Sequence, residues 1–205
     1  MTSDTQLKPS LNRDDVQITQ TDVCFQGFFR MSKLHVRHKL FEGGWCDTLQ
    51  RERFDRGPAV GVLLYDQALD TVVLIEQFRI GALNEDSPWI FEVVAGMVEA
   101  GESPEEVAHR ETLEEAGAEL QELRHICDYL VSPGGTDEKL HIYLGLVDSR
   151  NIEGIHGLPE EGEDIKIHKV PSKVAFEALE SGIINNGATV IALQWLELQK
   201  LKGLL

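Results

Sequence analysis

The sequence predicts a mixed α/β sandwich with one continuous core, preceded by a small antiparallel β subdomain. Three observations carry this. Apolar, strand-like runs crowd the stretch from Pro58 to Gly96, a strongly marked helix starts at Ser103 and lies between strands, and two helical patterns close the chain. At 205 residues and 42% hydrophobic side chains, the chain is long enough for one domain of ordinary size plus an appendage.

Taken in order, residues 1–14 are polar and read as a mobile N-terminal segment. Residues 15–57 form the appendage, because alternation in DVQITQTDVCFQGFFRMSKLHVRHKLF predicts two or three strands of a small sheet. Residues 58–205 form the main domain. There PAVGVLLYD and TVVLIEQFR flank the turn-like QALD, and PWIFEVVAG reads as a further strand. The helix that follows has Ser103 to cap it, Pro104 at its first position, Glu106 to complete a capping box and Gly117 as its stop. HICDYLV and KLHIYLGLV predict strands on either side of the loop SPGGTDE. The stretch from Asp148 to Asp164 lacks periodicity and is rich in acids, which marks a candidate lid or active-site loop. IKIHKV predicts a last strand, and SKVAFEALES and GATVIALQWLELQKLK the closing helices.

A net charge of −16, from 35 acidic and 19 basic side chains, argues against nucleic acid or an anionic membrane as partner. A phosphate-bearing ligand would need cations between it and the protein, so the acid clusters matter. The three cysteines are widely spaced and read as idle or buried thiols in a reducing compartment. No signal peptide or membrane-spanning stretch is evident, which predicts a cytoplasmic protein. The seven histidines show no metal-site spacing and read as structural or surface residues, and the three tryptophans are assigned to packing.

The informative run is Gly96–Ala118, GMVEAGESPEEVAHRETLEEAGA. On a helix, Glu114 and Glu115 flank Glu111 one turn along, so three carboxylates fall within an arc of about 100°. Arg110 offsets only part of that charge, through an i,i+4 pair with Glu114. Val107 and Ala108 lie on or beside the acidic arc, so the acids face inward or into a cleft. Clustered hard oxygen ligands suit magnesium, manganese or calcium, and phosphate chemistry is their natural partner.

The run resembles the signature of the Nudix hydrolase family, G-x5-E-x7-R-E-U-x-E-E-x-G-U. Gly96, Glu102, Arg110, Glu111, Glu114, Glu115 and Gly117 occupy its fixed positions, with Thr112 and Ala118 at two aliphatic positions. The resemblance implies a Nudix-type α/β/α sandwich with a mixed sheet. It runs nearly the length of the chain and is nearest to the family's bacterial ADP-ribose pyrophosphatase branch, for which Pro133 lies at the associated spacing, sixteen residues after Gly117 (133 − 117). That branch implies hydrolysis of ADP-ribose to AMP and ribose 5-phosphate, with Mg2+ or Mn2+, two or more ions per site. It also implies a homodimer with shared active sites.

Carried over position by position, the resemblance gives metal binding to the carbonyl of Ala95 and to Glu111, Glu115 and Glu163, with Glu114 beside them, and the general base to Glu161. It puts Phe28 and Phe29 at the adenine, and Arg51, Glu52, Arg56, Arg79, Met97 and Glu138 along the site. Ser132, Pro133 and Gly134 would reach across the dimer. The alternative readings are that Phe28 and Phe29 are strand core and that SPGGT is a plain hairpin turn. Three other functions stay open: hydrolysis of another nucleoside diphosphate sugar, an ADP-ribose-binding module without turnover, and a purely structural acidic helix.

Overall fold

A computed structural model describes residues 7–205, so residues 1–6 of the segment read as mobile lie outside the described residues. The chain separates into two compact units, residues 1–56 with 132–137, and residues 57–131 with 138–205.

The first unit is an antiparallel meander of β1 (Val16–Gln26), β2 (Arg30–His38) and β3 (Leu49–Asp55). It is held mainly by polar contacts, with Ser32 buried and β1 exposed along most of its length. Asp55 accepts hydrogen bonds from Arg30 Nε, Ser32 Oγ and Arg53 Nε, each at 2.5 Å. Burial pushes its carboxyl up, and those three donors outweigh it, bringing Asp55 down to about 2. The SPGGT loop is more than a hairpin turn. Phe54 N donates to Gly135 O at 2.8 Å and Thr136 Oγ1 to Phe54 O at 2.9 Å, while Asp137 Oδ1 accepts from Arg56 N at 2.8 Å. The loop thus covers part of the β3 edge, whose backbone groups would otherwise be unpaired.

The second unit is built on a mixed sheet. Its strands are β4 (Pro58–Asp66), β5 (Thr71–Phe78), β6 (Trp89–Glu92), β7 (Val94–Met97), β8 (Glu122–Leu130), β9 (Lys139–Leu146), β10 (Ile155–His156) and β11 (Ile165–Pro171). The order is β10-β11-β5-β4-β9-β8, with β4 and β9 parallel and the other neighbours antiparallel. The stretch read as one strand, PWIFEVVAG, is in fact two. β4 and β5 pair only at Leu64–Val73, Tyr65–Val72 and Asp66–Thr71, then part, and β6 pairs with β5 while β7 pairs with β4. Val93 sits at the break, buried, with its N–H donating to Thr189 Oγ1 at 3.0 Å.

Helix α1 (Pro104–Ala116) covers one face, where Val107, Ala108 and Ala116 pack on Val60, Val62, Val73 and Ile75. Helices α2 (Ser172–Glu180) and α3 (Gly187–Leu201) cover the other, with Ala175, Ala192, Leu193 and Leu196 against Leu63, Leu74, Ile142 and Leu144. Burial of Val107, at roughly 1.5–3 kcal/mol, and the close approach that Ala108 and Ala116 permit fix α1 to the sheet beside β7, which carries Ala95 and Gly96. Trp195 packs against this second core as expected, whereas Trp89 is 52% exposed and meets Phe78 edge to face.

Candidate active site

The site grows from the capped start of α1. Ser103 Oγ accepts from Glu106 N at 3.3 Å, and Glu106 Oε2 accepts from Ser103 N at 2.8 Å, so the predicted capping box is formed. Pro104 takes the first turn, and Gly117 ends the helix in the left-handed conformation at φ 59°. This start and stop set the rotation of the helix, and with it the direction of Glu111 and Glu115.

β7 runs directly under that face. A Cβ on Gly96 would lie 1.8 Å from Glu111 Oε1, so only glycine lets the Glu111 carboxylate lie against the strand. One residue earlier, Ala95 N donates to Glu115 Oε2 at 2.9 Å. Glu115 is 1% exposed, and that amide is the one hydrogen-bond donor it meets among the described residues. Burial pushes Glu115 up to about 8; the Ala95 amide and Arg79 work against that shift, while Glu111 and Glu163 add to it. Burial likewise raises Glu111 to about 7 against the pull of Arg110, with Glu114 and Glu163 adding to the rise.

Arg110 is the internal counter-charge. Its Nη1 donates to Glu111 Oε1 at 2.7 Å and Glu114 Oε2 at 3.0 Å, and its Nε to Glu102 Oε1 at 3.1 Å. Glu102 Oε2 also accepts from Glu99 N at 3.0 Å, which closes the loop ahead of the helix. The motif residues therefore divide their work: Glu102 and Arg110 hold the loop and part of the charge, and Gly96 admits Glu111.

The acidic loop is tied to this helix. Gly157 N donates to Glu114 O at 3.2 Å, and Leu158 N donates to Glu163 Oε2 at 2.9 Å. A Cβ on Gly117 would come within 2.6 Å of His156 Cε1, so Gly117 both ends α1 and makes room for the loop. Glu163 is thereby near enough to act on Glu111 and Glu115, whereas Glu161 is exposed at the end of a single 3-10 turn, Pro159–Glu161.

The structure thus gathers Glu111, Glu114, Glu115 and Glu163 with Ala95. Among the described residues, no three His, Cys, Asp or Glu side chains converge as a finished ligand set. The reason is visible: Glu111, Glu115 and Glu163 each turn an oxygen to a protein donor, respectively Arg110, Ala95 N and Leu158 N. The donor set still fits a hard divalent cation, because a carboxylate buried at the level of Glu115 with a single uncharged hydrogen-bond donor calls for positive charge.

Of the other expected residues, Arg79 donates from Nε to Glu92 Oε2 at 2.6 Å and remains 43% exposed. Met97 ends β7 and Glu138 precedes β9, both in the second unit. Phe28, Phe29, Arg51, Glu52, Arg56 and the segment Ser132, Pro133 and Gly134 belong to the first. Phe28 and Phe29 stand in the turn between β1 and β2, outside both hydrophobic cores, and Phe28 is 87% exposed. Phe29 meets Phe54 edge to face at 5.0 Å, and the Arg56 guanidinium lies 4.8 Å from its ring centre. Arg51 and Glu52 are exposed on β3. Sequence reasoning missed Glu92 as the partner of Arg79, and Asn186, which donates from Nδ2 to Glu92 Oε1 at 2.7 Å, although a charged residue inside the apolar run WIFEVV was a signal.

Comparison with known proteins agrees with this architecture. The family model described as the NUDIX domain matches residues 55–186. The ADP-ribose pyrophosphatase of Haemophilus influenzae is 44% identical over 191 residues, covering 91% of this chain and 88% of the relative. The ADP-ribose pyrophosphatase of Escherichia coli strain K12 is 45% identical over 193 residues, covering 94% and 92%. A GDP-mannose pyrophosphatase of Escherichia coli is 35% identical over 155 residues, covering 74% and 80%. A crystal structure of an ADP compounds hydrolase shares the fold, with a TM-score of 0.71 at 22% identity over 97% of this chain and 100% of that one. With its signature residues assembled around β7 and α1, and with these relatives, the chain belongs to the Nudix family of hydrolases.

Proposed function

We propose that this Nudix enzyme hydrolyses the pyrophosphate bond of ADP-ribose, giving AMP and ribose 5-phosphate by attack of water on phosphorus. The observation that carries the chemistry is the pair of half-buried Glu111 and buried Glu115, seated against Gly96 and Ala95. The substrate follows from the relatives, since those named for ADP-ribose match at 44–45% over more than nine-tenths of the chain and the one named for GDP-mannose at 35% over 74%. A GDP-sugar is the runner-up.

In this reading Glu111, Glu115, Glu163 and the Ala95 carbonyl hold Mg2+, with Mn2+ able to replace it, and Glu114 lies beside them. Bound cations neutralise the diphosphate and acidify water. Charge balance supports two or more ions. Once cations displace the protons that burial holds on Glu111 and Glu115, Glu102, Glu111, Glu114, Glu115 and Glu163 bring five negative charges against one positive charge on Arg110, a sum of −4 (−5 + 1), and Arg79 is already matched by Glu92. Glu161 takes the proton from the attacking water, and its place on an exposed turn lets it approach when substrate is bound. Arg79 and Arg56 hold the phosphates, and Phe28 and Phe29 meet the adenine. Arg51, Glu52, Met97 and Glu138 line the substrate, and Ser132, Pro133 and Gly134 serve the partner protomer's site in a homodimer. Exposed apolar side chains on β1, Ile18, Val23 and Phe25, suit burial in such a dimer. No helix among the described residues is long and apolar enough to cross a membrane, and the three free cysteines suit the cytoplasm.

The deciding experiment is hydrolysis of ADP-ribose in oxygen-18 water with and without Mg2+, with a parallel rate on GDP-mannose. Label in AMP or in ribose 5-phosphate identifies the attacked phosphorus. A faster rate on the GDP-sugar moves the assignment to the runner-up, and no release of AMP refutes the reaction.

A further inference from the structure

We propose that Glu92 is a positioning residue that aims the Arg79 guanidinium, and that Asn186 at the start of α3 holds Glu92 in place. The proposal rests on the reading of Arg79 as a phosphate holder. Glu92 ends β6 with its side chain 8% exposed, and a carboxylate buried there needs partners for both oxygens. It has them. Oε2 accepts from Arg79 Nε at 2.6 Å, and Oε1 accepts from Asn186 Nδ2 at 2.7 Å.

The orientation of Asn186 is fixed by what lies beyond it. As N-cap of α3, its Oδ1 accepts from Thr189 N and Thr189 Oγ1, both at 3.2 Å, so its Nδ2 has to face Glu92. Thr189 Oγ1 in turn accepts from Val93 N at 3.0 Å. The bonds thus form a closed circuit from Glu92 through Asn186 and Thr189 back to Val93, which binds the break between β6 and β7 to the head of α3. Nothing in that circuit is left to rotate.

Arg79 is the one open end. Its backbone N donates to Pro88 O at 2.8 Å, its Nε is used on Glu92, and among the described residues its two Nη groups make no hydrogen bond. A guanidinium gripped through Nε presents its remaining N–H groups outward, in the planar fork that matches a phosphate. Arg79 also acts electrostatically on Glu115, which puts it near the acidic centre. Glu92 therefore works through Arg79, with the circuit to α3 fixing the direction of the fork.

The test is a double-mutant cycle on kcat/KM for ADP-ribose with Glu92→Gln and Arg79→Ala. Glutamine at 92 puts an amide donor against either Arg79 Nε or Asn186 Nδ2, so the aim is lost while the shape is kept. Misplacement of this kind predicts a fall of roughly 10- to 100-fold for Glu92→Gln. In the Arg79→Ala background the same change should add less than about threefold, because the group it aims is gone. Effects that multiply overturn the proposal. If Glu92→Gln folds poorly, Asn186→Ala leaves the Glu92 to Arg79 contact and removes its anchor together with the α3 N-cap; its smaller loss of kcat/KM should also vanish in the Arg79→Ala background, whereas a loss due to the cap alone would persist there. An NMR readout needs no turnover: the Arg79 Nε–H resonance should be shifted and slow to exchange in the wild type and lose both properties in Glu92→Gln. Wild-type protein that fails to cleave ADP-ribose refutes the proposed reaction, and an Nε–H resonance unchanged in Glu92→Gln refutes the link between the two residues.

Discussion

Replacing Glu115 by glutamine should stabilise the cation-free protein at neutral pH while abolishing its response to magnesium. The folded state holds this carboxyl at about 8, against 4.5 for an ordinary glutamate. Between those values the folded protein keeps a proton that the unfolded chain has lost, so the contribution of Glu115 to stability is fullest below about pH 4.5 and falls as pH rises towards 8. The slope is about 1.4 kcal/mol per pH unit, and by pH 7.5 the cost is about 4 kcal/mol. Glu111 acts in the same direction over the narrower window up to about 7. Glutamine carries no charge to desolvate, and its Oε1 can still accept from Ala95 N. For a chain of this size the change should raise the melting temperature in EDTA at pH 7.5 by roughly 5 °C or more. Differential scanning calorimetry from pH 5 to 8, in EDTA and in Mg2+, reads every part of this. Wild-type protein in EDTA should melt lower as pH rises, Mg2+ should reverse the trend by binding the folded state, and Glu115→Gln should lose the Mg2+ response and keep only the smaller pH dependence that Glu111 supplies. A Glu115→Gln protein that melts below wild type in EDTA at pH 7.5, or wild-type stability that climbs across this range without Mg2+, would refute the account of Glu115 as a strained, cation-seeking carboxylate.

Gly96→Ala puts a methyl group 1.8 Å from Glu111 Oε1, so Glu111 must swing away, and Mg2+-dependent activity should fall by about 100-fold or more while circular dichroism stays near wild type. Glu161→Gln should lower kcat by about two orders of magnitude and leave the Kd for ADP-ribose, measured with Ca2+ by calorimetry, within a few-fold of wild type; near-normal turnover removes Glu161 from the mechanism. Ser103→Ala deletes the acceptor for Glu106 N and should cost about 1 kcal/mol in urea unfolding, with a smaller effect on kcat than Gly96→Ala.

Features that sequence reasoning captured are those whose causes lie within a few residues. Ser103, Pro104, Glu106 and Gly117 delimit α1 by local rules alone, and the spacing of Glu111 and Glu115 follows from the helical repeat. What escaped depends on partners far away in the chain. The division of PWIFEVVAG into β6 and β7 arises because β4 and β5 part company after three residue pairs, which no local pattern in the stretch itself records. The SPGGT loop bonds to Phe54, 82 residues earlier from Thr136, and Glu92 bonds to Asn186, 94 residues later. A single chain read for period and turn chemistry carries no register between such segments.

Glycine shows how one residue type can be read correctly for an incomplete reason. Gly117 reads from sequence as a helix stop, and its φ of 59° meets that expectation. The imidazole of His156 lies where its Cβ would be, so the same glycine also seats the loop that bears Glu163. Gly96 reads from sequence as the end of a strand and a fixed position of the signature, and it lies in β7 without a positive φ, where what it supplies is space for the Glu111 carboxylate. Substitution can separate these two demands. Asparagine tolerates the left-handed region, so Gly117→Asn keeps the helix stop at modest strain but still collides with His156. A loss of activity in Gly117→Asn that is relieved by His156→Gly would show that the space, and through it the position of the acidic loop, is what this glycine provides beyond ending the helix. No relief would mean that the backbone conformation alone accounts for it.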